Sequence, residues 1–378
     1  MAPPSPEGRA WILVDASDGT VLDAHRAHTS YSIASTTKLM TAYVARRELK
    51  LGRRVTAPLY VPSSSAESLL GLQEGERISV HDLLYGLLLA SGNDAAVTLA
   101  DAAAGSTGAF VGQMNAAARR LGLSDTSYAN PIGLDAADNF SSAADLADLA
   151  GRLRRDRFLR KVFDTPEKVL RTGAETRDVV NRNNLVRTVP YVNGVKTGYT
   201  IDAGNVLVAS ATRNGVTLIS AVLGEPSEGA RDSDSLALLD YGFSLYHSEK
   251  PVSEGDTLAR VAVRYQDDAL PLDAGRTVRL TVRHGQRISV HTSKPDQVEG
   301  PIAKGKRLGS VRVLVDGERV ASSPLIAGVK VPAADLGDKL DSAIPGPRAI
   351  VWIAAIAAIS LLLIAGWRLL ARRRSSAR

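Results

Sequence analysis

Ser35 and Lys38 stand three residues apart in the run Ile33-Ala34-Ser35-Thr36-Thr37-Lys38-Leu39-Met40-Thr41-Ala42. Positions i and i+3 share a helix face, so this hydroxyl and this amine can touch. A hydroxyl beside a base is a candidate nucleophile, but a serine at a helix start is also an ordinary N-cap. Two later stretches add polar groups of the kinds acyl transfer needs, Ser91-Gly92-Asn93 and Lys196-Thr197-Gly198. Taken singly, Ser91 also reads as a helix terminator and Gly198 as a strand bulge. None of the three stretches contains histidine, and no Gly-x-Ser-x-Gly turn occurs, which argues against a Ser-His-Asp triad. The six histidines are scattered, and His25 and His28 lack further partners at metal-ligand spacing. The absence of cysteine excludes thiolate catalysis, disulfides and cysteine-held metals.

The elements around these residues predict an α+β domain. Residues 9–15 read as a strand, Asp18-Gly19 as a hairpin turn and residues 20–22 as the returning strand. Apolar spacing at Leu39, Tyr43 and Val44 predicts a helix starting near Ser35. Residues 58–65 read as a loop. Residues 80–90 read as a nearly all-apolar helix, ended by Gly92, and Asp94 can cap the next helix over 95–104. Further helices are predicted over about 108–121 and 141–154. Two β-rich runs, 205–212 and 216–223, flank Arg213-Asn214-Gly215, and Asn-Gly is a hairpin signal. A closing helix is predicted over 233–246. Early and late strands with helices between them give one antiparallel sheet with a helical cluster.

From residue 256 alternating runs recur, at 258–263, 278–282, 288–292 and 311–315, with Asp316-Gly317 as a turn. These predict a small all-β domain. Residues 349–367 carry no charge, close to the ~20 residues that cross a bilayer as a helix. Trp352 and Trp367 stand near its ends, and Arg372-Arg373-Arg374 and Arg378 follow. The positive-inside rule then predicts a cytoplasmic tail and an extracytoplasmic remainder. Such export requires a signal sequence, and the proline-rich residues 1–8 have no apolar segment of that kind. The expected organisation is a lead-in over 1–8, a first domain over 9–249, a β domain over 250–331, a stalk over 332–348, a membrane helix over 349–371 and a basic tail over 372–378.

The chain has 378 residues, 44% hydrophobic and 23% charged, which fits two or more globular domains. The net charge of +6 is mild, and the only dense basic run is C-terminal, so nucleic-acid binding has little support.

Ser35-x-x-Lys38, Ser91-x-Asn93 and Lys196-Thr197-Gly198, in this order, match the motif set of penicillin-recognising serine enzymes. With their flanks they resemble the D-alanyl-D-alanine carboxypeptidases, low-molecular-mass penicillin-binding proteins. The flanks are Ala34 to Thr41, Leu88 to Ala96 and Asn193 to Thr200. The resemblance covers about residues 9–330, and Asn130-Pro131-x-Gly133-Leu134 and the stretch from Gly300-Pro301-Ile302 to Gly309 match further family segments. It implies a β-lactamase/transpeptidase-like fold, peptidoglycan stem peptides as substrate, β-lactams as inhibitors and no cofactor.

The resemblance makes Ser35 the nucleophile and Lys38 its base. A lysine serves as a base only when its pKa falls, through desolvation or a like charge that Lys196 could supply. Ser91 is expected to relay a proton to the leaving group. Asn93 is expected to hold the substrate amide. Lys196, Thr197 and Gly198 are expected on an edge strand to which the substrate adds as another strand, Gly198 allowing close approach. The family has an oxyanion hole at the N–H groups of Ser35 and Tyr199, and Tyr199 stands where relatives often carry histidine. Similarity also assigns Arg231 to the substrate carboxylate, against the alternative of a surface arginine. Asp145 and Arg182 match positions near the site, Asp145 reading equally well as a first-turn helix acid. Alternatives are a D,D-endopeptidase, a β-lactamase, or a non-catalytic envelope scaffold. The β-lactamase needs a deacylating glutamate, and neither Glu167 nor Glu175 has a convincing context for that.

Overall fold

Residues 204–213 and 216–225 alternate between two buried faces, and the architecture of the first unit follows from that. In the computed structural model, which describes residues 2–337, 339 and 347–375, strands Gly204–Arg213 and Val216–Glu225 form the centre of a five-stranded antiparallel sheet. Val206 and Val208 pack into one hydrophobic cluster, while Leu207, Ala209 and Ala211 pack into another. A sheet covered on both faces reads as a continuous apolar run rather than an alternating one. The turn between them has Asn214 at φ +51° and Gly215 at φ +83°. Positive φ at both central residues matches the strand twist, which is why Asn-Gly serves there.

The strand order is Val21–His25, Ala10–Asp15, Val216–Glu225, Gly204–Arg213, Val192–Thr200, so Val192–Thr200 is an open edge. Helix Glu228–Ser244 covers one face through Leu238, Leu239 and Phe243. The other face carries the helical cluster, including Ala143–Arg155, which lies on the central strands. Helix Lys38–Glu48 is buried over Leu39, Met40, Thr41, Ala42, Val44 and Ala45.

Three local features differ from the expectations. The closing helix begins at Glu228 rather than 233, because Ser227 caps it by accepting from the Ala230 N–H. The apolar run Val80–Ala90 is α-helical only to Tyr85, and its last turn, Gly86–Ala90, widens to a π-helix. A hairpin of Glu167–Leu170 with Arg177–Val180 also occurs, two strands too short to show clear alternation.

The molecule divides into two compact units, residues 1–247 and 248–378. The second holds a six-stranded sheet that includes Thr257–Val263, Ile288–Ser293 and Arg307–Val315. Val278–Arg283 pairs outside that sheet, in a two-stranded ladder with Tyr246–Val252. The Asp316-Gly317 turn leads into the returning strand Glu318–Ala327, expected from Arg319-Val320, while strand Leu270–Ala274 has no counterpart among the expected elements. Val252, Val261, Leu272, Val311, Val313 and Leu325 form the core of this β domain. The C-terminal helix Pro347–Ser375 contains a segment, Val351–Arg368, of mean hydropathy 2.0, long and apolar enough to cross a membrane. Part of the expected stalk (residues 338 and 340–346) and the end of the tail (376–378) lie outside the described residues.

Candidate active site

Ser35 sits in a 3₁₀ turn, Ala34–Thr37, that runs directly into helix Lys38–Glu48. Ala34 has φ +48°, a left-handed conformation uncommon for a residue with a Cβ. Lys38 Nζ lies 2.9 Å from Ser35 Oγ. The same nitrogen donates to Asn93 Oδ1 at 2.6 Å and to the Ile132 carbonyl at 2.7 Å.

Lys38 is fully buried, and burial, helped by the charge of Arg182, lowers its pKa to about 7. Glu67 and Asp94 act in the opposite sense. A neutral lysine has two N–H groups and one lone pair. In the neutral form, hydrogens given to Asn93 Oδ1 and the Ile132 carbonyl would leave the lone pair for the Ser35 hydroxyl. That is the arrangement a base needs to withdraw the serine proton.

Ser91 has φ +64° and closes the π turn before Gly92. Helix Asn93–Ala104 starts immediately after. Lys196, also fully buried, donates from Nζ to Ser91 Oγ at 3.1 Å and to the Thr197 carbonyl at 2.8 Å. Its pKa is lowered by burial, then by Lys38, Arg182 and Arg231. The like-charge effect expected to act on Lys38 from Lys196 therefore differs in source: burial and then Arg182 depress Lys38.

Lys196, Thr197 and Gly198 lie on the open-edge strand. A Cβ on Gly198 would stand 3.0 Å from Ile33 O, Ser35 N and the Ala34 Cβ, so glycine permits the strand to close on the nucleophile turn. A pocket of about 290 Å³ is lined by Ser35, Ser91, Arg182, Thr197, Gly198, Tyr199 and Arg231, together with Ala66, Ser68 and Glu228. Arg231 is only 3% exposed and pairs with Asp232 at 2.9 Å, so it is not a surface arginine. Arg182 is exposed and braces the second motif, its N–H donating to the Leu89 carbonyl and its Nε to the Ala90 carbonyl, each at 3.1 Å.

Residues 1–227 match the family described as D-alanyl-D-alanine carboxypeptidase, Peptidase S11. The chain belongs to the D-alanyl-D-alanine carboxypeptidase family. Residues 246–333 match the C-terminal domain of penicillin-binding protein 5. Among relatives of this family, the carboxypeptidase DacC of Escherichia coli strain K12 is 34% identical, over 85% of this chain and 84% of its own length. DacF of Bacillus subtilis strain 168 is 32% identical, over 85% of each. The crystal structure of penicillin-binding protein 5 from Haemophilus influenzae superposes with a TM-score of 0.61 at 30% identity. It spans 88% of this chain and 99% of that one.

One residue assigned by similarity to this family lies apart from the pocket. The Asp145 carboxylate accepts from the Asp125 N–H at 2.9 Å and from Thr126 Oγ1 at 2.6 Å. It does not line the pocket with Ser35, and it occupies the first turn of Ala143–Arg155. The physical reason is local: it ties down the segment before Ser127, and the support expected of it at the site is not seen. Glu167 and Glu175 do not line the pocket either.

Sequence reasoning missed several groups that the carboxypeptidase fold brings to Lys38. The Ile132 carbonyl is held there because Asn130 Oδ1 accepts from the N–H groups of Ile132, Gly133 and Leu134. An asparagine folding back on the backbone just ahead is a turn signal that Asn130-Pro131 already carried. Asp94 accepts from the N–H groups of Leu70, Gly71, Leu72 and Ala95, which clamps residues 70–72 beside the second motif. Glu67, in a segment with no motif, accepts from Asn93 Nδ2 at 2.7 Å.

Proposed function

We propose that the chain removes the terminal D-alanine of peptidoglycan stem peptides through an acyl-enzyme on Ser35, and that β-lactams acylate the same serine. The observation that carries this reading is the environment of Lys38, a buried amine within hydrogen-bond distance of Ser35 Oγ, Asn93 Oδ1 and the Ile132 carbonyl.

In this reading Lys38 takes the Ser35 proton as Oγ attacks the carbonyl of the penultimate D-alanine. The N–H groups of Ser35 and Tyr199 hold the oxyanion. The C–N bond breaks and the proton reaches the departing amine through Ser91, so free D-alanine leaves. Water then attacks the acyl carbon and its proton restores the serine hydroxyl. Thr197 and Gly198 receive the peptide as an added strand, Asn93 holds its amide, and Arg231 and Arg182 attract its carboxylate. The C-terminal helix anchors the enzyme, with the Arg372-Arg373-Arg374 cluster on the cytoplasmic side and the catalytic unit outside.

Mass spectrometry of the protein after penicillin treatment tests the reading, together with an assay of D-alanine release from a D-Ala-D-Ala pentapeptide. The expected result is one adduct on Ser35 that turns over slowly, with release of D-alanine. An adduct elsewhere, or none, sinks it. Rapid loss of the adduct would mark a β-lactamase, and cleavage of cross-linked muropeptides an endopeptidase.

A further inference from the structure

Glu67 accepts four hydrogen bonds and is committed to all of them. Its Oε1 accepts from the Ser63 N–H at 2.7 Å and from Ser63 Oγ at 2.6 Å. Its Oε2 accepts from the Tyr60 hydroxyl and, at 2.7 Å, from Asn93 Nδ2. Burial disfavours the ionised form, but the bonds from Ser63, Tyr60 and Asn93 outweigh it and hold the pKa at about 2. Glu67 is therefore a carboxylate and can only accept.

An asparagine amide has an accepting end and a donating end that differ little in shape. Turned over, Asn93 would offer Nδ2 to Lys38 in place of Oδ1. Its hydrogens would then occupy the lone pair that Lys38 needs for Ser35. A carboxylate on the far side prevents this, because only Nδ2 can satisfy it. We propose that Glu67 is a positioning residue that locks the Asn93 amide so that Oδ1 faces Lys38 and the base keeps its lone pair for Ser35. The proposal rests on the reading of Lys38 as the base.

The same residue ties the base to the pocket wall. Its neighbours Ala66 and Ser68 line the pocket, and the Ser68 carbonyl accepts from the Asn93 N–H at 2.8 Å. Glu67 also carries a negative charge towards Lys38, in a setting where Arg182, Asp94 and Lys196 are the other charged or titratable neighbours. Removing that charge favours the neutral amine, so the two effects of the residue can be separated. Its orientation of Asn93 sets the limiting rate, and its charge sets the pH at which that rate is reached.

The test is the acylation rate of the full chain in detergent by a fluorescent penicillin, followed from about pH 5 to 9, for wild type, Glu67→Gln and Glu67→Asp. Glu67→Gln is expected to lower the high-pH plateau about tenfold, the loss of a hydrogen bond to a charged group. Its midpoint is expected to move to lower pH. Glu67→Asp keeps the charge but shortens the reach, and is expected to lower the plateau with the midpoint close to wild type. It carries the test if the glutamine variant does not fold. A Glu67→Gln plateau equal to wild type, or a lowered plateau with an unmoved midpoint, overturns the proposal, as does Glu67→Asp acylating at the wild-type rate. Wild-type protein that takes no penicillin defeats the reading of the base instead, which keeps the two failures distinct.

Discussion

Lys38 Nζ and Asn93 Oδ1, from two helices 55 residues apart in the chain, lie 2.6 Å from each other, and that contact joins the first two motifs into one apparatus. It explains why an asparagine follows Ser91 by two residues. The helix Asn93–Ala104 begins there, and its first side chain points back to Lys38.

In the proposed mechanism the lowered pKa of Lys38 sets the pH dependence of acylation. With its pKa lowered to about 7 by burial and Arg182, the amine would be protonated at lower pH, with no lone pair for Ser35, and neutral at higher pH. The acylation rate should rise with pH through a midpoint near 7, measured by stopped-flow with a fluorescent penicillin. A midpoint close to that of an unperturbed lysine would show that the base is not Lys38.

In the proposed mechanism Ser35→Ala removes the atom that would carry the acyl group. D-alanine release should fall by at least about 10³-fold, and penicillin labelling should vanish, with thermal stability near wild type. Labelling that persists on the alanine variant would move the nucleophile elsewhere.

Arg231 is buried beside Asp232, with its guanidinium lining the pocket. Arg231→Ala should lower kcat/KM for D-Ala-terminated peptide about 10- to 100-fold, the range for losing a charge-assisted hydrogen bond. Arg231→Lys should recover little of it, since lysine has no planar fork. Full activity of the alanine variant would remove the carboxylate contact from the mechanism.

Two glycines test how tightly the nucleophile turn is enclosed. A Cβ at Gly133 would stand 2.1 Å from the Ala34 carbonyl oxygen, and φ there is +89°. Gly133→Ala should cost about 2–3 kcal/mol of stability, read from denaturant unfolding. Gly198→Ala meets its neighbours at 3.0 Å and should slow acylation while costing less stability.

Much of this was legible in the residues. The three motifs name Ser35, Lys38, Ser91, Asn93 and Lys196, and the turns at Asp18-Gly19 and Asn214-Gly215 mark the hairpins, because those steps depend on local chemistry. What was not legible depends on distant partners. Nothing near Glu67 announces that it meets Asn93, and nothing near Asp145 says that its carboxylate turns to Asp125 and Thr126 rather than to the pocket. The closing helix starts at Glu228, ahead of the predicted 233, because Ser227 caps it by accepting from the Ala230 N–H. In the second unit Leu270–Ala274 is not legible as a strand because Pro271 breaks the pattern, and Pro324 hides how far the strand begun at Arg319-Val320 runs.

The clasp of Asp94 on the backbone of residues 70–72 has a corollary for sequence drift. It grips peptide N–H groups, while the side chains at those positions answer to other constraints: Leu70 is buried in the core, Gly71 has φ +79° and Leu72 packs against the same core. A mutational scan across residues 58–72, with position 94 added, should therefore reveal an uneven landscape, with broad permissiveness at exposed positions such as Leu59 and Val61 and a sharp intolerance at Leu70, Gly71 and the two acids, Glu67 and Asp94.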